Sequence, residues 1–183
     1  MWARQSQVTL ANAGAGSASH LCGLLLQSSM KVKLTTIPYR GTGPAMLDLL
    51  GGQVDLMCDL TANALPQIRG GKLRPIALTV AQPVKDAALA GTPSMRSFGF
   101  ENVEFTIWYG LYAPRGTSPA IVRRLSAALA EAAEDAGFQR QQADVGLSVV
   151  RDDRLSPAGH RRHLRKEMDR WAPVIRASGE YAD

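Results

Sequence analysis

The chain has 183 residues, a formal net charge of +5, a hydrophobic fraction of 45% and a charged fraction of 20%. Those values exclude global disorder, and the longest apolar runs, such as Leu24-Leu25-Leu26, fall far short of the ~20 residues a membrane helix needs. Two cysteines and three histidines, set apart in sequence, are too few for a disulfide scaffold or a structural metal centre, so no metal and no cofactor is expected.

Met1 to Gln7 has neither a long apolar stretch nor a small-residue cleavage pattern, so no signal peptide is expected in this chain. Val8–Ala11 reads as a short strand. Asn12–Gly16 is a turn of small residues. From Ser17 on, His20, Leu21, Leu24 and Leu25 recur at helical spacing, with Ser17 as the N-cap. Lys33–Ile37 is a β-rich run ended by Pro38. Tyr39–Gly43 is a loop, and Pro44 suits the first turn of a helix that runs through Met46, Leu47 and Leu50 and stops at Gly51-Gly52. Val54–Cys58 is a short apolar strand, Asn63–Ile68 one or two helical turns closed by Gly70-Gly71, and Pro75–Val80 a fourth, buried strand. This β-α-β-α-β-α-β order predicts a parallel sheet covered by helices on both faces.

The pattern then breaks. Ala81–Val103 reads as a long connection without a clear period. Glu104–Ala113 is strand-like, with Phe105, Ile107, Tyr109 and Leu111 alternating. Ser118-Pro119 starts a helix with Ile121, Leu125 and Leu129 along one face. Leu147–Val150 is a short strand. Ser156-Pro157 starts a last helix with Leu164, Met168, Trp171 and Ile175 turned inward, and Pro173 should kink or shorten it. A basic balance raises the prospect of anionic partners. Here the cations concentrate between Arg151 and Arg176 with no interleaved aromatic except Trp171. They read as a solvated helix face, and nucleic acid is not expected as a partner.

Three loops could carry chemistry. Gly14-Ala15-Gly16-Ser17 lies between a strand and a helix, where glycines admit a ligand to the backbone and first-turn amides favour an anion. A bare turn with a good N-cap explains the same residues. Pro38–Pro44 offers the hydroxyls of Tyr39 and Thr42 ahead of another helix, or is an ordinary turn. Cys58-Asp59-Leu60-Thr61-Ala62-Asn63 follows the third strand. All three fall on one edge if the sheet is parallel, the edge where open α/β sheets bind ligands. Arg40 could pair a carboxylate through its guanidinium fork or simply be solvated.

No catalytic residue is assigned. Ser17 and Ser19 are not in a nucleophile elbow, and His20, three residues from Ser17, makes no triad by itself. Cys58 has no histidine placed to activate it and is expected to be an inert buried thiol. Asp48 and Asp55 read as structural.

At these loops the sequence resembles a known family. Asn12–Leu21, Pro38–Ala45, Asp48–Met57, Gly71–Thr79 and Trp108–Thr117 are similar, in order and spacing, to strings of the Bug-type receptors, the substrate-binding proteins of tripartite tricarboxylate transporters. The likeness runs from about Asn12 to the C-terminus. The Cys58-Asp59-x-Thr61-x-Asn63 string resembles one branch of the family. The resemblance implies an α/β, type II periplasmic binding protein fold whose two lobes close on a ligand. It implies binding of small carboxylates (di- and tricarboxylates, acidic amino acids or aromatic acids), delivery to membrane transporter subunits, a periplasmic location and no reaction.

Carried over residue by residue, the resemblance sets a ligand carboxylate near Gly14, the Gly16 and Ser17 amides and the Ser17 hydroxyl, with Tyr39 lining the cleft. Asp59, Thr61 and Asn63 would read the far end of the ligand. An ionised Asp59 accepts hydrogen bonds only, so it suits a ligand amino or hydroxyl group and repels a second carboxylate. On this mapping residues 1–82 are lobe two, incomplete at its start. Residues 83–103 are a crossover linker, and 104–183 are the C-terminal part of lobe one, so that the N-terminal part of the family pattern is absent. That remnant should expose apolar faces such as Ile121/Leu125/Leu129 and Leu164/Met168/Trp171 and could support a homo-oligomer. Two alternatives stand beside this reading. One is a degenerate fragment that keeps the fold and binds nothing tightly. The other is a small phosphate- or nucleotide-handling enzyme, which lacks the lysine and the carboxylate pair it would need.

Overall fold

The computed structural model describes residues 7–80, 84, 86–101 and 103–178. Its sheet holds three parallel strands in the order β2-β1-β3: β1 Thr9–Asn12, β2 Thr35–Pro38 and β3 Leu56–Met57. Helix α1 (Ala18–Met30) joins β1 to β2, α2 (Thr42–Leu50) joins β2 to β3, and α3 (Thr61–Arg69) follows β3. As the central strand, β1 is buried from Leu10 to Asn12. Its register pairs Thr9 with Thr35 through Asn12 with Pro38 on one side, and Leu10 with Leu56 and Ala11 with Met57 on the other.

Side chains alternate across a strand, and this decides which helix covers which face. Leu10 sits so close to α1 that a Cβ on Gly23 would lie 2.9 Å from Leu10 Cδ2. Ala11 turns the other way, into a cluster with Ala45 of α2 and Val54, backed by Ile37, Tyr39, Leu49 and Met57. The helices therefore cover both faces, as the chain order predicts.

Each helix start has a local cause. Ser17 Oγ accepts from His20 N–H at the head of α1. Pro44 lies in the first turn of α2, which begins two residues ahead of it at Thr42. Asp55 binds the start of β3 to β1: its Oδ2 accepts from Thr9 N–H at 2.8 Å and from Thr9 Oγ1 at 2.7 Å, and Thr9 Oγ1 accepts from Asp55 N–H at 2.9 Å.

The expected fourth strand is reduced. Over Pro75–Val80 only Leu78 makes a β-bridge, parallel to Ser94. Phe105 N–H donates to Thr79 C=O, and Thr79 Oγ1 donates to Phe105 C=O. The run finds scattered partners instead of a ladder, and without a ladder an extended segment is no strand. The expected connection carries short 3-10 turns at Ala87–Leu89 and Met95–Phe98; its residues 81–83, 85 and 102 lie outside the described residues.

The chain divides into two compact units, Met1–Ile107 with Pro173–Asp183, and Trp108–Ala172. The second unit carries α4 (Pro119–Glu134), α5 (Ala136–Asp144) and most of α6 (Pro157–Ser178). Ser118 caps α4 with Pro119 in its first turn, as its sequence signals. Helix α5 has no apolar period to announce it; Asp135 caps it, accepting from Phe138 N–H.

Two strand expectations fail from residue 104 onward. Glu104–Ala113 and Leu147–Val150 form no strand: apart from the Phe105–Thr79 bonds, neither meets a partner strand among the described residues. Met168, on the inward stripe by its spacing but on a face that the lobe mapping leaves open, is 63% exposed. Pro173 does not shorten α6, which continues to Ser178. The apolar face of α4 is open, with Ile121, Leu125 and Leu129 all exposed, as the sequence led us to expect. The cations of α6 are solvated: Arg161, Arg162, Arg165, Lys166, Arg170 and Arg176 are all exposed. What orders the Trp108 stretch is an aromatic cluster. Trp108 meets the rings of His160 and His163 edge-on, and Tyr112 Oη lies 3.0 Å from His160 Nε2.

Candidate functional site

Because all three strands are parallel, their carboxyl ends share one edge. The loops that leave this edge are 13–17, 39–41 and 58–60. The first two are tied to each other. Tyr39 N–H donates to Asn12 C=O at 2.9 Å, and a Cβ on Gly14 would stand 3.2 Å from Tyr39 C=O. Gly14 also has φ +107°, so both its conformation and its neighbour require glycine.

The first loop is a closed hydrogen-bond circuit. Asn12 Oδ1, on a buried side chain, accepts from Gly14 N–H at 2.9 Å. Ser19 Oγ accepts from Ala13 N–H at 2.9 Å and lies 3.1 Å from Ser17 Oγ. His20 Nδ1 accepts from Gly16 N–H at 3.1 Å, so this buried imidazole, when neutral, carries its proton on Nε2. Ser17 N–H donates to Gly14 C=O at 3.1 Å.

The Gly16 and Ser17 amides, expected to hold a ligand, are therefore already engaged within the turn. The donors left at this helix start are the N–H groups of Ala18 and Ser19, which no described residue accepts from, together with the rotatable hydroxyl of Ser17. The general preference of a helix start for an anion is unchanged, and its open donors lie two residues further along. His20 turns out to be a structural acceptor that shapes the loop.

In the second loop, Tyr39 packs its ring on the Ala11–Ala45–Val54 cluster. Its hydroxyl donates to Asp48 Oδ2 at 2.7 Å. That bond to a carboxylate holds the phenol pKa above its ordinary value. Tyr39 is thus anchored at the edge with its proton committed, and Asp48, read as structural, is the anchor. Arg40 is exposed.

The third loop carries Asp59, Thr61 and Asn63. Thr61 opens α3. Asp59 Oδ1 accepts from Leu60 N–H at 2.7 Å and from Asn63 Nδ2 at 3.0 Å, whereas Oδ2 is buried with no hydrogen-bond partner. Burial pushes the Asp59 carboxyl above its ordinary pKa, against the opposing pull of the Asn63 and Leu60 donors. An orphaned carboxylate oxygen calls for a donor, either a proton or an N–H or O–H group of an occupant.

The sequence reading of Cys58 as an inert thiol is wrong. Cys58 is joined to Cys22 of α1 in a disulfide that spans 36 residues, with Cα atoms 6.2 Å apart. The signal available was the even cysteine count; neighbouring residues give no hint that a mid-helix cysteine faces a loop beyond the third strand. Among the described residues no group of His, Cys, Asp or Glu could hold a metal ion.

Residues 2–179 match the family of tripartite tricarboxylate transporter receptors. The chain belongs to this receptor family. It is 36% identical over 173 residues to a UPF0065 protein from the ttuE-ttuC' intergenic region of Agrobacterium vitis, covering 94% of this chain and 49% of that protein. It is 32% identical over 177 residues to BugT of Bordetella pertussis, covering 97% of this chain and 53% of BugT. The chain thus spans about half the length of these curated relatives.

Among solved structures, the periplasmic binding protein BugD superposes with a TM-score of 0.87 at 38% identity, over 98% of this chain and 59% of BugD. A Rhodopseudomonas palustris protein, Rpa4515, solved with adipate, gives 0.87 at 28% identity, over 97% of this chain and 57% of its own. MatC from the same organism, solved with bound malate, gives 0.85 at 34% identity, over 94% of this chain and 58% of its own. The fold is therefore the α/β, type II fold of the periplasmic binding proteins. In this receptor fold the edge carrying Ser17, Tyr39 and Asp59 lies at the carboxyl ends of the strands, where an open α/β sheet takes its ligand.

Proposed function

We propose that the chain is part of a solute receptor that captures a small carboxylate in the periplasm and presents it to a membrane transporter, performing no reaction itself. The observation that carries this reading is membership of the receptor family together with two similar solved proteins that hold dicarboxylates, malate in one and adipate in the other. The chemistry of the edge agrees. A carboxylate of the ligand meets the Ser17 hydroxyl and the Ala18 and Ser19 amides, near Gly14 and Gly16, with Tyr39 beside it. Asp59, Thr61 and Asn63 meet the other end, where the orphaned Asp59 oxygen favours a ligand that brings an amino or hydroxyl hydrogen. The lobe assignment read from the sequence, 1–82 to lobe two and 104–183 to lobe one, belongs to the same proposal. The Cys22–Cys58 disulfide suits an oxidising compartment such as the periplasm.

A thermal-shift panel tests the reading: di- and tricarboxylates, acidic amino acids, aromatic acids and a nucleotide. A rise in Tm with at least one carboxylate, and none with the nucleotide, is expected. A shift with the nucleotide alone rejects the receptor. A second reading, the fold kept without tight binding, is favoured by the open face of Ile121, Leu125 and Leu129. It predicts self-association through that face, and sedimentation as a monomer counts against it.

A further inference from the structure

We propose that the Cys22–Cys58 disulfide is a positioning element of the ligand-binding edge, holding the loop of Asp59 in its working shape against α1. The proposal rests on the receptor reading for the role of that edge. Its structural content stands on three observations.

The first is how little else holds this loop. β3 contributes two residues to the ladder, where β2 contributes four. The Asp55–Thr9 bonds secure the entry to β3, and pairing ends at Met57, directly before Cys58. The second is the start of α3. Its N-cap residue, Leu60, makes no side-chain capping bond, so the first turn lacks the usual restraint. Asp59 Oδ1 supplies a local substitute, binding Leu60 N–H and Asn63 Nδ2, and this leaves Oδ2 buried without a donor. An orphaned buried oxygen is a cost that the chain relieves by opening unless something else holds it.

The third observation is where the disulfide attaches. Cys58 is the residue between the end of the ladder and Asp59, and Cys22 is 1% exposed on α1, five residues beyond the Ser17 cap. The bond therefore links the helix that begins at the first loop of the edge to the third loop at its least supported point. A staple meant only for stability has no reason to sit there; one that sets the spacing of the two loops does.

The test compares the oxidised chain with the Cys22→Ala/Cys58→Ala double variant and with the wild type reduced by a phosphine. Hydrogen–deuterium exchange is read by peptide, and the Asp59 carboxyl is titrated by NMR. The expected result is exchange at least tenfold faster over residues 58–64, with residues 35–41 on the opposite side of β1 unchanged. The Asp59 pKa should fall back toward the ordinary aspartate value once its loop opens to water. Equal protection at 58–64, or an increase spread evenly over both segments, overturns the proposal and leaves the disulfide a general staple. Malate affinity, measured in parallel, should drop at least tenfold in the double variant. If no carboxylate of the panel binds the oxidised chain, the receptor reading fails, while the exchange contrast still decides the positioning role.

Discussion

The region around the three-stranded sheet and the region from Trp108 to Ala172 treat similar sequence patterns in opposite ways. In the first, four-residue runs such as Thr9–Asn12 and Thr35–Pro38 become strands because each has a ladder partner. In the second, residues 108–113, the later part of the alternating run, have no ladder partner among the described residues, and Tyr109, Leu111 and Tyr112 remain exposed, Tyr109 at 74%. Helices form equally well in both. A helix satisfies its backbone within its own segment, whereas a strand depends on a neighbour. The consequence for function is direct. Among the described residues, the region whose strands brace one another is the one that brings Ser17, Tyr39 and Asp59 to a common edge.

The largest expected contrast tests that difference in packing. Leu10, 2% exposed at the centre of the sheet against Gly23, should lose about 3 kcal/mol on Leu10→Ala. Met168→Ser, at a residue that hydrophobic spacing placed inward but the structure leaves open, should change stability by about 0.5 kcal/mol or less. Urea unfolding of the two variants at one pH measures both. Equal losses would mean that Met168 is covered in solution, and the contrast between the regions would be wrong.

A smaller effect is expected where the second region does pack closely. A Cβ on Gly110 would stand 2.8 Å from His160 Cε1 and 2.9 Å from its Nε2. Gly110→Ala therefore has to push the imidazole away from Tyr112 and Trp108, at about 2 kcal/mol. A change confined to the Trp108 fluorescence and the His160 NMR resonances, with the sheet residues unmoved, is the expected signature. No destabilisation would show that the aromatic cluster is loose.

What the sequence made legible follows the same division. Ser17, Ser118 with Pro119, and Ser156 with Pro157 announce helix starts because a cap acts over three or four residues of its own chain. The parallel order of the first three strands, and with it the shared edge, followed from alternation of element types. Pro75–Val80 and Leu147–Val150 were misread because apolar alternation says which face a strand would bury and not whether a partner exists. Of the amides expected to face a ligand, those of Gly16 and Ser17 are taken up within their own turn. Nothing in the sequence tells that His20 Nδ1 takes the Gly16 amide or that Asp48 takes the Tyr39 hydroxyl. The disulfide escaped for the same reason: it is a long-range contact between residues 36 apart.

Two smaller effects than those of Leu10 and Gly110 sit side by side within the braced region, at the two aspartates that flank β3, and they carry opposite signs. Asp55 is held below the ordinary carboxylate pKa, chiefly by the Thr9 amide and then by its hydroxyl. Its contribution to stability is present above the unfolded-state pKa and is lost as pH falls through the lower folded value. Asp59 is pushed up by burial, so its contribution runs the other way, fullest below the unfolded pKa and lost as pH rises through the higher folded value. Asp55→Asn should therefore flatten the acid side of the stability curve and destabilise at neutral pH. Asp59→Asn should remove the cost of a buried charge and stabilise the unliganded chain at neutral pH by about 1 kcal/mol. Thermal unfolding from pH 3 to 8 checks both. Two variants with the same sign at neutral pH would show that the Asp59 oxygen already has a donor, and the chemical reason for expecting an amino or hydroxyl group on the ligand would go with it.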